Sequence, residues 1–429
     1  MKIKLNLRQI RAGIIILTLM VIVGGAGWKL GFKKGRTVRI DSALSEESEV
    51  DMARFWQVWQ KLEDKYLIKE DLKSQEMMWG ATKGMTSALG DPYTVFLPPE
   101  RNKEVKEELN GAFEGVGIQL GFKDGRLAVM APLAGMPAEA VGVRAGDLIL
   151  HLKDENKDVD VNTVDMSLPE AVEIIRGKKG TKISMTLLHE DESEPVVKEI
   201  VRDTIVIRSV ELKLGKISEE GKWIDEKEAC SGTEEWHCQA VAYLHLSRFG
   251  GRTESEWEEA IGDIKQKGND IKGIVLDLRN NPGGYLEGAV RYAGEFLEPG
   301  LFVVKQEDSK ENVSSYSVTH QGRLLTEPLV VLVNQGSASS SEILAGALQD
   351  HERAKLVGKK TFGKGTIQEA IDLGEGSGLH VTTAKWLLPS GKWVNETEGI
   401  EPDEEVDFNR ESMETDEQLQ KAIEVLLEK

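Results

Sequence analysis

The sequence predicts a multidomain α/β protein, and three observations carry that reading. From about Thr204, apolar runs alternate with amphipathic stretches: a strand over 240–246, a helix over 254–267, a strand over 271–276. Leu329–Val333 is an unbroken apolar run, the pattern of a strand buried on both faces. A small-residue turn follows it, then a helix with Ile343, Leu344, Ala347 and Leu348 at helical spacing. At 429 residues, two or three domains are expected.

The first domain-scale feature is a charge asymmetry. Residues 1–40 hold nine Lys and Arg and no acid, while the whole chain carries −19, so the body carries −28. An acidic body argues against nucleic acid as a partner. Residues 12–27 are uncharged and rich in Ile, Leu and Val, with Trp28 and Phe32 at an interface position. Counted to Phe32, with Lys29 snorkelling, the segment reaches the roughly 17–25 residues of a membrane span. Signal peptide and signal anchor are the two readings. Gly24-Gly25-Ala26-Gly27 is a weak cleavage site, so an uncleaved anchor is favoured. Both flanks are basic, which leaves the positive-inside rule ambiguous.

Residues 41–50 are a polar linker. Phe55, Trp56, Trp59, Leu62 and Tyr66 then recur at helical spacing, the stripe of a packed helix face. A second helix over 75–89 stops at Gly90-Asp91-Pro92-Tyr93-Thr94, where glycine and proline both end helices. The region 41–108 is therefore expected to be helical. Residues 109–200 resemble a PDZ domain, mostly β. Gly115-Val116-Gly117-Ile118 resembles its carboxylate-binding loop, and Gly135-Met136-Pro137-Ala138 with Val143-Arg144-Ala145-Gly146-Asp147-Leu148-Ile149 resembles its middle. Backbone N–H groups in such a loop hold a C-terminal carboxylate while the next strand pairs with the peptide. Leu168–Ile175 would line the groove. Cys230 and Cys238 flank a polar loop; the spacing is poor for zinc and suits a local disulfide in an exported domain, against the alternative of two free thiols.

Residues 201–429 form the third region, closing on a helix over 418–427 with Leu419, Ile423, Leu426 and Leu427 on one side. Asp277 to Gly284 is a turn after a strand, and its two glycines let backbone N–H groups face a ligand. Strand, tight turn, serine and helix is how a fold exposes a nucleophile, because the helix N-terminus offers free N–H groups and positive potential to an oxyanion. Ser339-x-x-Glu342 is equally a capping box, so Ser339 read alone is a helix cap. Lys364 changes that balance. Flanked by Gly363 and Gly365 and next to Phe362, it is open to desolvation, which lowers its pKa and makes it a neutral base for a serine. A phosphate-binding loop fails at Gly365, where Ser or Thr should stand, and His351-Glu352 does not continue into a zinc pair. His351 beside Asp350 is expected at the end of the helix that Ser339 begins.

The stretch Ser337-Ala338-Ser339-Ser340-Ser341-Glu342, with Gly346-Ala347-Leu348-Gln349-Asp350 and Thr361-Phe362-Gly363-Lys364-Gly365-Thr366-Ile367-Gln368, resembles the carboxyl-terminal processing, or tail-specific, serine proteases. The resemblance runs from about Phe55 to the C-terminus. In that family a Ser/Lys dyad has the lysine 25 positions after the serine, which selects Ser339 for Lys364 over Ser337, Ser340 and Ser341. Four positions further on, Gln368 matches the residue that supports the lysine, and Asp350 matches an acidic supporting position. Ser340 stands where the family more often has alanine. The resemblance implies oxyanion donors at Gly283, Gly284 and the Ser340 backbone, and no metal or cofactor. It implies protein substrates with free C-terminal tails and, with the anchor, a single-pass location in the cell membrane with the catalytic part outside the cytoplasm. A homo-oligomer is left open. The rival, a PDZ adaptor on a dead protease fold, is opposed by the presence of both Ser339 and Lys364.

Overall fold

The computed structural model describes residues 51–133, 135–189, 192–217, 223–225, 239–268, 271–407 and 416–428. The anchor, the linker and the Cys230/Cys238 pair lie outside the described residues. Among the described residues, no helix is long and apolar enough to cross a membrane. Two compact units emerge, one ending at Met77 and one starting at Met78. In the first, α1 (Ala53–Lys65) carries the aromatic stripe, but none of its residues is buried and Trp56 is 55% exposed. The rings contact each other instead, Phe55 on Trp56 with centroids 5.2 Å apart and Trp56 on Trp59 at 6.1 Å, so the expected packed face is not found.

α2 (Ser74–Ser87) ends where expected, ahead of Gly90. The stretch after it is less helical than expected. β1 (Val95–Leu97) precedes α3 (Pro99–Asn110), and it joins a sheet formed otherwise by strands from beyond residue 300. A ribbon of β2 (Ala112–Gly115) with β9 (Asp203–Val206) then brackets the middle domain.

That domain has β3 (Ile118–Lys123), β4 (Arg126–Pro132), α4 (Pro137–Ala140), β5 (Leu148–Asp154), β6 (Val159–Asn162), α5 (Leu168–Ile175), β7 (Lys182–Leu188) and β8 (Val196–Val201). The sheet order is β3-β4-β5-β7-β8, with β6 on β5. β7 alternates buried and part-exposed residues, so Ile183, Met185 and Leu187 fill one core with Leu127, Val129, Ile149, Leu152 and Ile200. β3 is an edge strand, and α5 packs beside it over the residues read as the groove helix. Arg202, 1% exposed, pairs with Asp154 at 2.6 Å and donates to the carbonyls of Ile174 and Ile175, locking the end of α5 to the strand exit.

The third domain is built on a seven-stranded sheet in the order β11-β10-β12-β13-β16-β17-β20. Its members are β10 (Val210–Ile217), β11 (Trp223–Asp225), β12 (Gln239–Leu246), β13 (Ile271–Asp277), β16 (Leu329–Val333), β17 (Lys355–Gly358) and β20 (Glu404–Glu405). From β12 to β20 all neighbours are parallel. Period-two alternation divides the strands between two cores. Leu329, Val331 and Val333 pack on one face with residues of α6 (Thr253–Lys267), α7 (Leu286–Ala293) and α8 (Ser340–Asp350), while Val330 and Leu332 meet Ile423 and Leu426 of α9 (Glu417–Leu427) on the other. A second sheet holds β14 (Phe302–Asp308), β15 (Val313–Ser317), β18 (Thr366–Gly374) and β19 (Ser377–Leu387) with β1.

Replacing Arg202 by Met leaves the Asp154 carboxylate buried without its partner. A loss of about 3–5 kcal/mol is expected, read as weaker hydrogen-exchange protection of the β5 and β8 amides in the full chain. Unchanged protection would show that the pair does not hold this domain.

Candidate active site

In an open parallel sheet, the loops after the carboxyl ends of neighbouring strands form one crevice. Here β13, β16 and β17 are consecutive neighbours, and their exit loops carry the Gly283-Gly284 turn, Ser339 and Lys364. The first two loops are stitched together. Asn280 N–H donates to Asn334 Oδ1 at 2.8 Å, and Ala338 N–H donates to the Asn281 carbonyl at 3.0 Å. Three serines act as staples: Ser337 Oγ donates to Leu278 O (2.8 Å), Ser340 Oγ to Gly284 O (2.9 Å) and Ser341 Oγ to Asn281 O (2.7 Å). All three are buried, whereas Ser339 is part-exposed.

Ser339 also has φ 55° and ψ −116°, a backbone conformation that an L residue adopts at a cost of about 1–3 kcal/mol. The surrounding bonds over-determine it. Gly283 (φ 97°) has to lack a side chain because a Cβ there would come within 2.9 Å of Ser339 Cβ, and one on Gly284 (φ 142°) would strike Phe249 O at 2.0 Å. The capping-box reading is correct as well: Ser339 N–H donates to Glu342 Oε2 at 2.8 Å.

Glu342 does much more than cap. It is fully buried, and its carboxylate accepts four donors from two loops. Beside Ser339 N–H these are Thr361 Oγ1 at 2.6 Å, Gly363 N–H at 2.7 Å and Lys364 N–H at 3.0 Å. The Ser339 and Lys364 amides share Oε2, so their nitrogens lie within about 6 Å of one another. Burial raises the pKa of Glu342, against the opposing pull of Thr361, Gly363, Ser339 and Lys364. Phe362 N–H reaches Ser337 O at 3.0 Å and closes the loop onto the serine turn.

Burial lowers the pKa of Lys364, with Asp91 and Glu342 pulling the other way. The cover is not the one expected from sequence. Phe362 points outward, 56% exposed, and the ring above Lys364 Nζ is that of Tyr93, 4.6 Å from nitrogen to centroid. Phe362 and Lys364 are two positions apart and would share a side in an extended chain, but Gly363, at φ 88°, turns the backbone between them. Burial raises the pKa of the Tyr93 phenol, helped by Asp91 and Glu342. Asp91 is held below its ordinary carboxyl range by the Thr382 and Thr94 hydroxyls. In sequence, 90–94 reads as a helix stop and as part of a stretch that resembles the family's N-terminal helical region, with no role at the site; its polar, aromatic make-up beside two breakers is the signal available.

Gln368 lies on β18 opposite Thr382. Its amide nitrogen donates to Thr366 Oγ1 (3.0 Å) and Thr382 Oγ1 (3.1 Å), which ties it to the Asp91 cluster. Gly283 N–H is engaged by Asn281 Oδ1 at 2.9 Å, while Ser340 N–H, first in its helix, has no acceptor within that helix. Asp350 is not beside the nucleophile. It sits at the far end of an 11-residue helix, about 16 Å away along the axis, where Oδ2 accepts from Ser390 N–H at 2.8 Å. His351 follows it as the helix C-cap, its Nε2 2.7 Å from Phe302 O. In the middle domain Gly115 ends β2 of the ribbon, paired with Asp203. The carbonyls of Val116 and Gly117 are taken by Ala138 N–H and Leu133 N–H, each at 2.9 Å, and Ile118 opens the edge strand β3.

A strained, part-exposed serine at a helix N-terminus, one buried carboxylate away from a half-buried lysine, is an arrangement that can serve a serine hydrolase. Comparison with known proteins narrows that class. Residues 240–406 match peptidase family S41. The chain is 35% identical over 399 residues to the carboxyl-terminal-processing protease of Synechocystis sp., covering 92% of this chain and 86% of the relative. It is 31% identical over 398 residues to the carboxy-terminal processing protease CtpB of Bacillus subtilis, covering 90% and 76%. The solved structure of a putative S41 protease from Bacteroides fragilis shares the fold, with a TM-score of 0.52 at 15% identity over 87% of this chain and 97% of that one. The chain thus belongs to the carboxyl-terminal-processing protease family, and it is a serine-type peptidase.

Glu342→Gln keeps the shape but turns an NH2 group toward N–H and O–H donors. The variant should lose about 1–3 kcal/mol of stability and most of its labelling by a fluorophosphonate probe, followed by thermal unfolding and by gel fluorescence. Wild-type labelling in this variant would remove Glu342 from the site's support.

Proposed function

We propose that the protein is a membrane-anchored, extracytoplasmic endopeptidase that cleaves protein substrates near their C-termini with a Ser339/Lys364 dyad. The observation that carries the dyad is the Glu342 carboxylate, which gathers the amides of both residues while the neighbouring serines are buried against backbone carbonyls. Ser339 Oγ attacks the peptide carbonyl carbon, and its proton passes to neutral Lys364 Nζ. The oxyanion is met by the Ser340 N–H and by the Gly283-Gly284 turn, where Gly284 N–H serves while Gly283 N–H is held by Asn281. The C–N bond then breaks, and the leaving amine takes the proton from Lys364. Lys364 Nζ, neutral again, then takes a proton from water as the water oxygen bonds to the acyl carbon; the ester bond to Ser339 Oγ breaks and Oγ recovers that proton. Gln368 steadies the lysine's surroundings through Thr366 and Thr382.

Substrate tails are captured by the middle domain. Val116 and Gly117 turn their carbonyls into the domain ahead of Ile118, which suits a carboxylate-binding loop, and β3 with α5 offers an open edge and an apolar wall for an added strand. The basic, apolar N-terminus is read as the anchor, in line with the acidic body held outside the cytoplasm. A folded Ser339→Ala protein should bind peptides with free apolar C-termini and discriminate against their amidated forms; equal binding of both would refute carboxylate capture.

Ser339→Ala and Lys364→Ala should each abolish hydrolysis, and Lys364→Arg should fail too because guanidinium stays protonated. Lysine is competent when neutral, so activity rises with pH through its pKa. Burial moves that pKa down from about 10.4, and the rising limb should therefore lie below the ordinary lysine range. Ser340→Ala loses its bond to Gly284 O but keeps the backbone donor, so part of the activity should survive. Cleavage by a folded Ser339→Ala enzyme, measured by mass spectrometry of peptide products, would overturn the dyad.

A further inference from the structure

We propose that Tyr93 is a positioning residue for Lys364, its ring locating the Nζ amine and shielding it from water, so that the segment ahead of the middle domain completes the active site. The proposal deepens the dyad reading and rests on it.

The ring face lies 4.6 Å from Nζ, within range for attraction to an ammonium. Its place is fixed at both ends. Tyr93 N–H donates to Asp91 Oδ1 at 3.0 Å, and Thr94 Oγ1 donates to Asp91 Oδ2 at 2.6 Å. Thr94 Oγ1 in turn accepts from Thr382 N–H on β19 at 3.1 Å. β1 follows at once and pairs with β19 through Val95–His380, Phe96–Leu379 and Leu97–Gly378. β18 lies on the other side of β19 and starts two residues after Lys364. Tyr93 and Lys364 are thus carried into one crevice by strands that share a partner, although 271 positions separate them.

The charged and titratable groups facing this amine are Asp91, Glu342 and His380, besides the Tyr93 phenol itself. The phenol has no part in the argument; the ring does. Phe should therefore replace Tyr93, whereas Ala should not. In Tyr93→Ala, water reaches Nζ, hydration of the ammonium outweighs the lost ring contact, and the lysine becomes harder to deprotonate. Asp91→Asn retains the acceptor for Tyr93 N–H but removes a negative charge that favours the ammonium, so it acts in the opposite sense.

The test is the rate of phosphonylation of Ser339 in the full-length protein by a fluorescent fluorophosphonate, followed from pH 5 to pH 10 or about that range. Tyr93→Phe should keep the wild-type limb and rate. Tyr93→Ala should move the limb up by about one pH unit and slow labelling at neutral pH about tenfold, with folding checked by thermal unfolding. Asp91→Asn should move the limb down. The proposal fails if Tyr93→Ala keeps the wild-type limb, if Tyr93→Phe shifts as far as Ala, or if Asp91→Asn and Tyr93→Ala shift the same way. Normal labelling in Lys364→Ala would instead defeat the dyad reading itself, so the two failures are distinguishable.

Discussion

One buried carboxylate holds this active site together. Glu342 is at the third position of α8, where the helix N-terminus favours negative charge. It takes N–H donors from the serine turn and from the lysine loop, and a hydroxyl from Thr361. A lone buried carboxylate would cost several kcal/mol. Four donors offset that cost, and the two loops gain a common reference point. Thr361 extends the arrangement, since its hydroxyl also accepts from Ile400 N–H at 2.7 Å, bringing the closing segment of the chain into the same cluster.

Around this centre the parallel sheet does the coarse positioning. β13, β16 and β17 lie side by side with the same direction, so their exit loops open into one crevice without further instruction. The fine positioning comes from small polar side chains. Asn281, Asn334 and the three stapling serines bond backbone groups, and the Asn280 side chain accepts from that of Asn334. Their sum supports the unusual backbone of Ser339. Every serine in the cluster except Ser339 is structural, which explains why so serine-rich a stretch can present a single part-exposed hydroxyl.

The lysine depends on a different kind of support. Its amine is covered by a ring from a distant segment and faced by carboxylates that resist its deprotonation. Burial outweighs those charges, and the Asp91 carboxylate is itself held low by the hydroxyls of Thr382 and Thr94. The surroundings of Lys364 are therefore set by the N-terminal segment, the lysine loop and β18–β19, not by Gly363 and Gly365 alone.

By itself the sequence determined the elements whose signals are local. Leu329–Val333 is a strand because five apolar residues in a row suit burial on both faces, and α8 begins in the serine cluster because capping residues precede a helical repeat. Ser339 and Lys364 are singled out together through the family resemblance, whose 25-position spacing they match. What the sequence could not decide was which side chains meet across long separations. The glycines beside Lys364 allow its burial, but they do not say that Phe362 turns outward or that Tyr93 covers the amine. Helical spacing placed Asp350 on α8, but at the end remote from the nucleophile. β1 and α7 were not distinguished, being short and lacking a long apolar period. Those outcomes follow from sheet order and strand pairing, which depend on contacts between residues hundreds of positions apart, and a sequence read locally contains no term for them.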